Sequence, residues 1–344
     1  MKAICRVAVA GLAMIPLPGI PIARWISGDA RDDLKTDAAV PDGYKKAIVR
    51  VGKPLGKLGK KFFGPISSGV VIRVKIADDG KSADVWVLTA DHVTQPAKDR
   101  AFLGVFIGFG NAEREFPQFE AQQIIRGKDI KAPVRGKPID LAILKVNIAD
   151  IKDLPRDMKV PEIHEVDKDK QLFVAGYGRT AKAFVEDTNE LKEWYQIDNS
   201  IPIGTLRIGL DMLNDRPKDF KIDKDADHPI EYLFDALEGS LAFQRGIRKE
   251  NKERGFVAGD AYVLGGDSGG PTLQEFCEIC GTWQLVGIHS ISNKEDSDKR
   301  VYPGYRWWDV DVFKYKAEIE LKAGITPRPT MGVWLERVVA DWKR

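Results

Sequence analysis

Cysteine is nearly missing from this chain, with three in 344 residues. Its scarcity excludes a small domain stapled by many disulfides, and it excludes a zinc site built from two cysteine pairs. An excess of charge of one sign is missing too: 53 basic against 51 acidic side chains leave a formal net charge of +2. That balance is no footprint for nucleic acid, so basic clusters are local features. Beyond the leader, no segment approaches the ~20 apolar residues of a membrane span, which leaves a soluble body. A hydrophobic content of 43% is ordinary for a folded protein and excludes wholesale disorder.

Length admits one large or two small domains. Residues 1–23 read as a secretory signal: Lys2 and Arg6 give a positive start, an apolar run follows, and Ala23 is a small residue near a cleavage point. Pro16, Pro18 and Pro21 interrupt its later half, so a tethered anchor or a disordered leader is the alternative. Residues 24–46, polar and without periodicity, read as a linker or pro-segment.

The chemistry centres on Gly265-Gly266-Asp267-Ser268-Gly269-Gly270-Pro271. A serine hydroxyl is a weak nucleophile at neutral pH; it needs a base to take its proton and donors for the developing oxyanion. Glycines at 266 and 269 remove Cβ atoms on both sides of Ser268, allowing a tight turn whose Gly266 and Ser268 N–H groups converge. Alone, the stretch is an ordinary glycine turn between strands. Upstream, however, the β-rich run Val85-Trp86-Val87-Leu88-Thr89-Ala90-Asp91 ends in His92, and Asp140 opens the run Leu141-Ala142-Ile143-Leu144.

The segments T-A-x-H, D-L-A-I-L and G-D-S-G-G-P, in that order, resemble the three signatures of the chymotrypsin/trypsin-like serine peptidases, in a bacterial-type form. The resemblance implies an all-β fold of two antiparallel six-stranded β-barrels with a C-terminal helix. Residues 47–150 would form the first barrel and residues 151–321 the second, with insertions and a terminal helix over 308–321. Residues 322–344 would be a helical extension. Ser268 would be the nucleophile, His92 the general base and acid, and Asp140 the group that orients the imidazole. Gly266 and Ser268 N–H groups would form the oxyanion hole. No cofactor or metal is implied. The product would be a secreted or periplasmic serine endopeptidase acting on proteins or peptides. A silent relative that binds peptides or a partner through the same cleft is the competing class.

By the same resemblance, Tyr262 lies at the base of the primary specificity pocket, residues 285–292 line it, Ser290 supports Asp140, and Gly304 belongs to the far wall. An aspartate at 262 would select Arg or Lys, and none is there. His289 and Ser292 suit donation to an acidic substrate side chain, as in glutamyl endopeptidases; a small or unassigned side chain is the other reading. In trypsin-like relatives the residue matching Asp267 pairs with an N-terminal ammonium released by cleavage. No matching Ile-Val-Gly-Gly start occurs here, so Asp267 requires another buried cation or donor. Cys277 and Cys280 lie between two strand-like runs and form a disulfide candidate across a hairpin tip. Val93 after His92 removes the disulfide that many relatives have there. His164 reads as a solvated loop residue rather than a metal ligand. Asp223, Asp225 and Asp227 lack the glycine and glutamate of a calcium loop.

Overall fold

The computed structural model describes residues 40–52, 54–55, 62–63, 67–95, 104–111, 119–131, 138–167, 170, 172–178, 180–186, 192–198, 204–211, 240–244, 266–277, 280–292, 300–301 and 306–326. Six strands close an antiparallel barrel: β1 (Ile48–Gly52), β2 (Ser67–Ile76), β3 (Ala83–Thr89), β4 (Phe106–Phe109), β5 (Phe119–Arg126) and β6 (Ala142–Ile148). Around the ring the order is β1-β2-β3-β6-β5-β4. Strands β1, β2 and β3 are rich in β-branched residues, and successive side chains point to opposite faces. Register turns that alternation into two sheets of apolar contact. Val71, Val87 and Leu144 are aligned and fill the barrel, while Val70, Leu88 and Ile143 form the next row and face outward.

The outward row is covered rather than wet. Ile48, Val70, Leu88 and Ile143 share one buried cluster with Phe173, Tyr177, Leu273, Leu285 and Ile288 of the second unit. Burying an aliphatic side chain of this size contributes about 1.5–3 kcal/mol, so this face fastens the two units together.

The second unit contains β7 (Leu172–Gly176), β8 (Thr180–Glu186), β9 (Lys192–Asp198), β10 (Arg207–Asp211), β11 (Ser240–Gln244), β12 (Pro271–Cys277), β13 (Thr282–Ser292), β14 (Arg300–Val301) and β15 (Arg306–Asp311). Its main sheet runs β10-β7-β12-β13-β15-β11, with Glu162–Ile163 added parallel to β13. Strands β8, β9 and β14 make a separate three-stranded sheet. Instead of a second closed ring, the described residues form these two open sheets. The edge strands β10 and β11 adjoin residues 212–239 and 245–265, which lie outside the described residues, as do the acidic cluster at 223–227 and the extension beyond residue 326.

The C-terminal helix starts later than its periodicity predicts. Residues 308–311 belong to β15, and α1 spans Lys316–Ala323 after a 3-10 turn at Val312–Tyr315. Strand β15 pairs with both β11 and β13, so ladder hydrogen bonds on two sides override the local helical spacing. Asp311 then ends the strand, its Oδ1 accepting from Phe313 N at 3.1 Å. Helix α1 buries Ile319 and Ala323 against the shared core and returns the chain to the first barrel. There the Arg73 guanidinium donates to the Ala323 carbonyl and Lys131 meets Glu318 at 3.2 Å. A cation at a helix C-terminus satisfies orphan carbonyls and the helix dipole together.

The connection after the first barrel is ordered in part by packing: Leu154, Met158 and Val160 rest on the barrel interior cluster. His164 is held on the second unit, its N–H donating to Leu285 O at 3.1 Å and its ring stacked 5.4 Å from Phe276. It therefore belongs to a ring contact rather than to open solvent.

Candidate active site

Strand β3 ends at Thr89, and one helical turn, Asp91–Thr94, carries His92. That turn is fixed from within. Buried Asp91 accepts from Gln95 Nε2 at 3.0 Å and lies 3.7 Å from the Arg126 guanidinium, while Thr94 Oγ1 donates to Asp91 O at 2.8 Å. Asp140, just before β6, meets the turn twice: His92 N donates to Oδ1 at 2.9 Å and His92 Nδ1 lies 2.8 Å from Oδ2. The Ser290 hydroxyl donates to the same Oδ2. Burial opposes ionisation of Asp140. The positive charge on His92 and the hydrogen bonds from His92 and Ser290 outweigh it, holding the carboxyl below its usual range.

Ser268 sits in a turn with Gly266 at φ 101° and Gly269 at φ 82°, left-handed geometry that glycine adopts without strain. Gly269 is also a point of close approach: a Cβ there would lie 2.0 Å from Thr89 Oγ1 and 2.9 Å from Ala90 N. The residue after Ser268 thus presses on the strand end that leads into His92. On the other side, Gly269 N donates to His289 O at 2.8 Å and His289 N donates to Gly270 O at 2.9 Å. Through the His289-Ser290 strand, the Ser268 turn and the Asp140 carboxylate share one framework.

Asp267 is fully buried and finds a main-chain donor, Gly178 N, 2.8 Å from Oδ1. The expected requirement for a buried partner is met at least in part by the second unit's own backbone. Ser68, from the first barrel, is buried beneath the same turn. Its N–H donates to Ser268 O at 3.0 Å, its hydroxyl donates to Gly266 O at 3.1 Å and accepts from Tyr177 N at 2.9 Å. Tyr177 in turn donates its phenol to Ile48 O at 3.1 Å, and burial pushes that phenol up.

His289 is fully buried, with Nδ1 2.8 Å from Asp309 Oδ1. Thr272 donates its hydroxyl to the other oxygen of Asp309. Among the described residues, His289 Nε2 has no hydrogen-bond partner. Its neighbour in the ring, Cδ2, lies beside Gly270, two residues past Ser268. Ser292 ends β13, whereas Tyr262 and Gly304 lie outside the described residues. Cys277 and Cys280 are joined as a disulfide between β12 and β13.

Sequence reasoning missed the supports. Asp309 was hidden inside the expected helix, and the only signal for it was an Asp between strand-forming residues in Trp307-Trp308-Asp309-Val310. Ser68 and Thr272 read as ordinary strand residues because their partners are distant along the chain. No metal-binding group of three His, Cys, Asp or Glu side chains occurs among the described residues.

No protein-family model and no curated protein matches the sequence. In fold, the chain is similar to the protease Anisep from Arthrobacter nicotinovorans, at 10% identity and a TM-score of 0.44, covering 80% of this chain and 94% of that one. It is also similar to neuropsin, a serine protease expressed in the limbic system of mouse brain, at 14% identity and a TM-score of 0.45, covering 82% and 96% of the two chains. Identities this low concern the path of the chain alone.

Proposed function

We propose that this protein is a serine endopeptidase of chymotrypsin-like architecture. The observation that carries the reading is the Asp140 carboxylate, bonded at once by the His92 ring, the His92 N–H and the Ser290 hydroxyl, on a framework shared with the Ser268 turn. Asp140 fixes the tautomer: with Nδ1–H directed at the carboxylate, Nε2 is the nitrogen left to accept a proton. Ser268 Oγ attacks the substrate carbonyl as His92 takes its proton, and the Gly266 and Ser268 N–H groups receive the oxyanion. His92 then protonates the leaving amine, and water repeats the sequence on the acyl-enzyme.

The residue before the scissile bond is acidic on the reading that His289 supports. Asp309 holds Nδ1–H, so Nε2 carries a proton only when the imidazole is cationic. Export is the matching expectation, supported by the disulfide, a bond typical of oxidising compartments.

Labelling with a fluorophosphonate probe tests the reading. The wild-type chain labels, and Ser268→Ala and His92→Ala do not; a peptide-library digest then shows cuts clustered after Glu or Asp. Absence of wild-type labelling favours the silent binding protein, and cuts after other residues overturn the acidic preference alone.

A further inference from the structure

We propose that Ser68 is a positioning residue that holds the oxyanion peptide, tying the efficiency of the second unit's nucleophile turn to a strand of the first barrel. The inference rests on the serine peptidase reading and adds a residue to which the motif resemblance assigns no catalytic role. The peptide linking Asp267 to Ser268 carries the Ser268 N–H that is to meet the oxyanion. Its neighbours on both sides are anchored to Ser68: Gly266 O by the hydroxyl at 3.1 Å, and Ser268 O by the main-chain N–H at 3.0 Å. Anchors straddling a peptide restrict its rotation, and an N–H aimed in advance at developing charge stabilises it without reorganisation.

The hydroxyl is the apt group for this place. It accepts from Tyr177 N at 2.9 Å while donating to Gly266 O, so the hydrogen bonds run in one direction from β7's end through Ser68 into the turn. Such a chain polarises its members in a buried setting, and Ser68 is fully buried. The Ser68 carbonyl accepts from Thr89 Oγ1 at 2.7 Å, at the strand end that leads to His92. One residue therefore touches the base-bearing strand, the peptide before the oxyanion peptide and the nucleophile's carbonyl.

Ser68→Ala keeps both main-chain bonds and deletes only the hydroxyl. With a peptide substrate, kcat is expected to fall about 10–100-fold with KM within about twofold, since the loss acts on transition-state charge rather than on substrate docking. Fluorophosphonate labelling slows in parallel, and Ser68→Thr, which restores a hydroxyl, recovers most of the rate. Amide hydrogen exchange provides a readout independent of activity: Gly269 and Gly270, which Ser68 does not bond, exchange faster in Ser68→Ala, while amides of the barrel strands β5 and β6 are unchanged. A kcat within twofold of wild type, a rise in KM alone, or unchanged exchange at Gly269 and Gly270 overturns the proposal. A wild-type chain inert to the probe defeats the peptidase reading instead, and the exchange comparison still decides whether Ser68 holds the turn.

Discussion

His92 and His289 each place Nδ1 2.8 Å from a carboxylate oxygen, and in each case a hydroxyl completes the acid: Ser290 on Asp140, Thr272 on Asp309. The side chain of His92 is 45% exposed, whereas both His289 and Asp309 are at 0%. Exposure lets an imidazole exchange its proton with a bound reactant; enclosure makes the same pair a fixed element of the core or of a pocket wall. A His-Asp-hydroxyl constellation is therefore insufficient to mark a general base. Exposure of the ring is the property that separates the two pairs, which meet β13 at adjacent residues, Ser290 at the open pair and His289 at the closed one.

The largest effects belong to the open pair. On the proposed mechanism, Ser268→Ala, which removes the nucleophile, or His92→Ala, which removes the base, should lower kcat by about 10⁶-fold, measured by burst-free steady-state hydrolysis. Asp140→Asn should cost about 10⁴-fold, because the amide can favour the wrong imidazole tautomer. Asp309→Asn is the matched change at the closed pair. It should lower unfolding free energy by about 3 kcal/mol in a denaturant titration while leaving kcat on a non-acidic substrate within a few-fold. A fall in kcat comparable to that of Asp140→Asn would erase the contrast between the pairs.

Acid should reveal the open pair by a second route. The Asp140 carboxyl is held below its ordinary value in the folded chain. Its stabilising contribution is thus fully present above the ordinary carboxyl range and disappears as pH falls through the lower folded value. Unfolding free energies of the wild type and Asp140→Asn should differ at neutral pH and converge in acid; a constant gap would contradict the pairing. The smallest effect is expected at Arg73→Met, away from both pairs. Loss of the contact with Ala323 O and of the stacking 4.6 Å above Trp86 should cost about 1 kcal/mol, read as a modest drop in Tm without change in kcat.

How much was legible in the sequence follows the range of the interactions. His92, Asp140 and Ser268 stand in local patterns, an apolar strand ending in T-A-D-H, an aspartate opening D-L-A-I-L, and a glycine-rich turn, so their identity could be read without coordinates. The strands of the first barrel could be read as well, since their apolar runs bounded by turn residues are local. The start of α1 could not. Residues 308–311 satisfy a helical spacing and a strand spacing alike, and pairing with β11 and β13 decides for the strand.

By itself, the sequence determined the order and chemical type of the reactive groups and the β character of the segments that carry them, because these depend on residues adjacent along the chain. Tertiary structure alone decided that Gly178 serves Asp267, that Ser68 lies beneath the Ser268 turn, and that His289 is enclosed with Asp309. Each of these is a hydrogen bond between segments remote in sequence. Such bonds take their direction and their dielectric surroundings from packing, which no local pattern encodes.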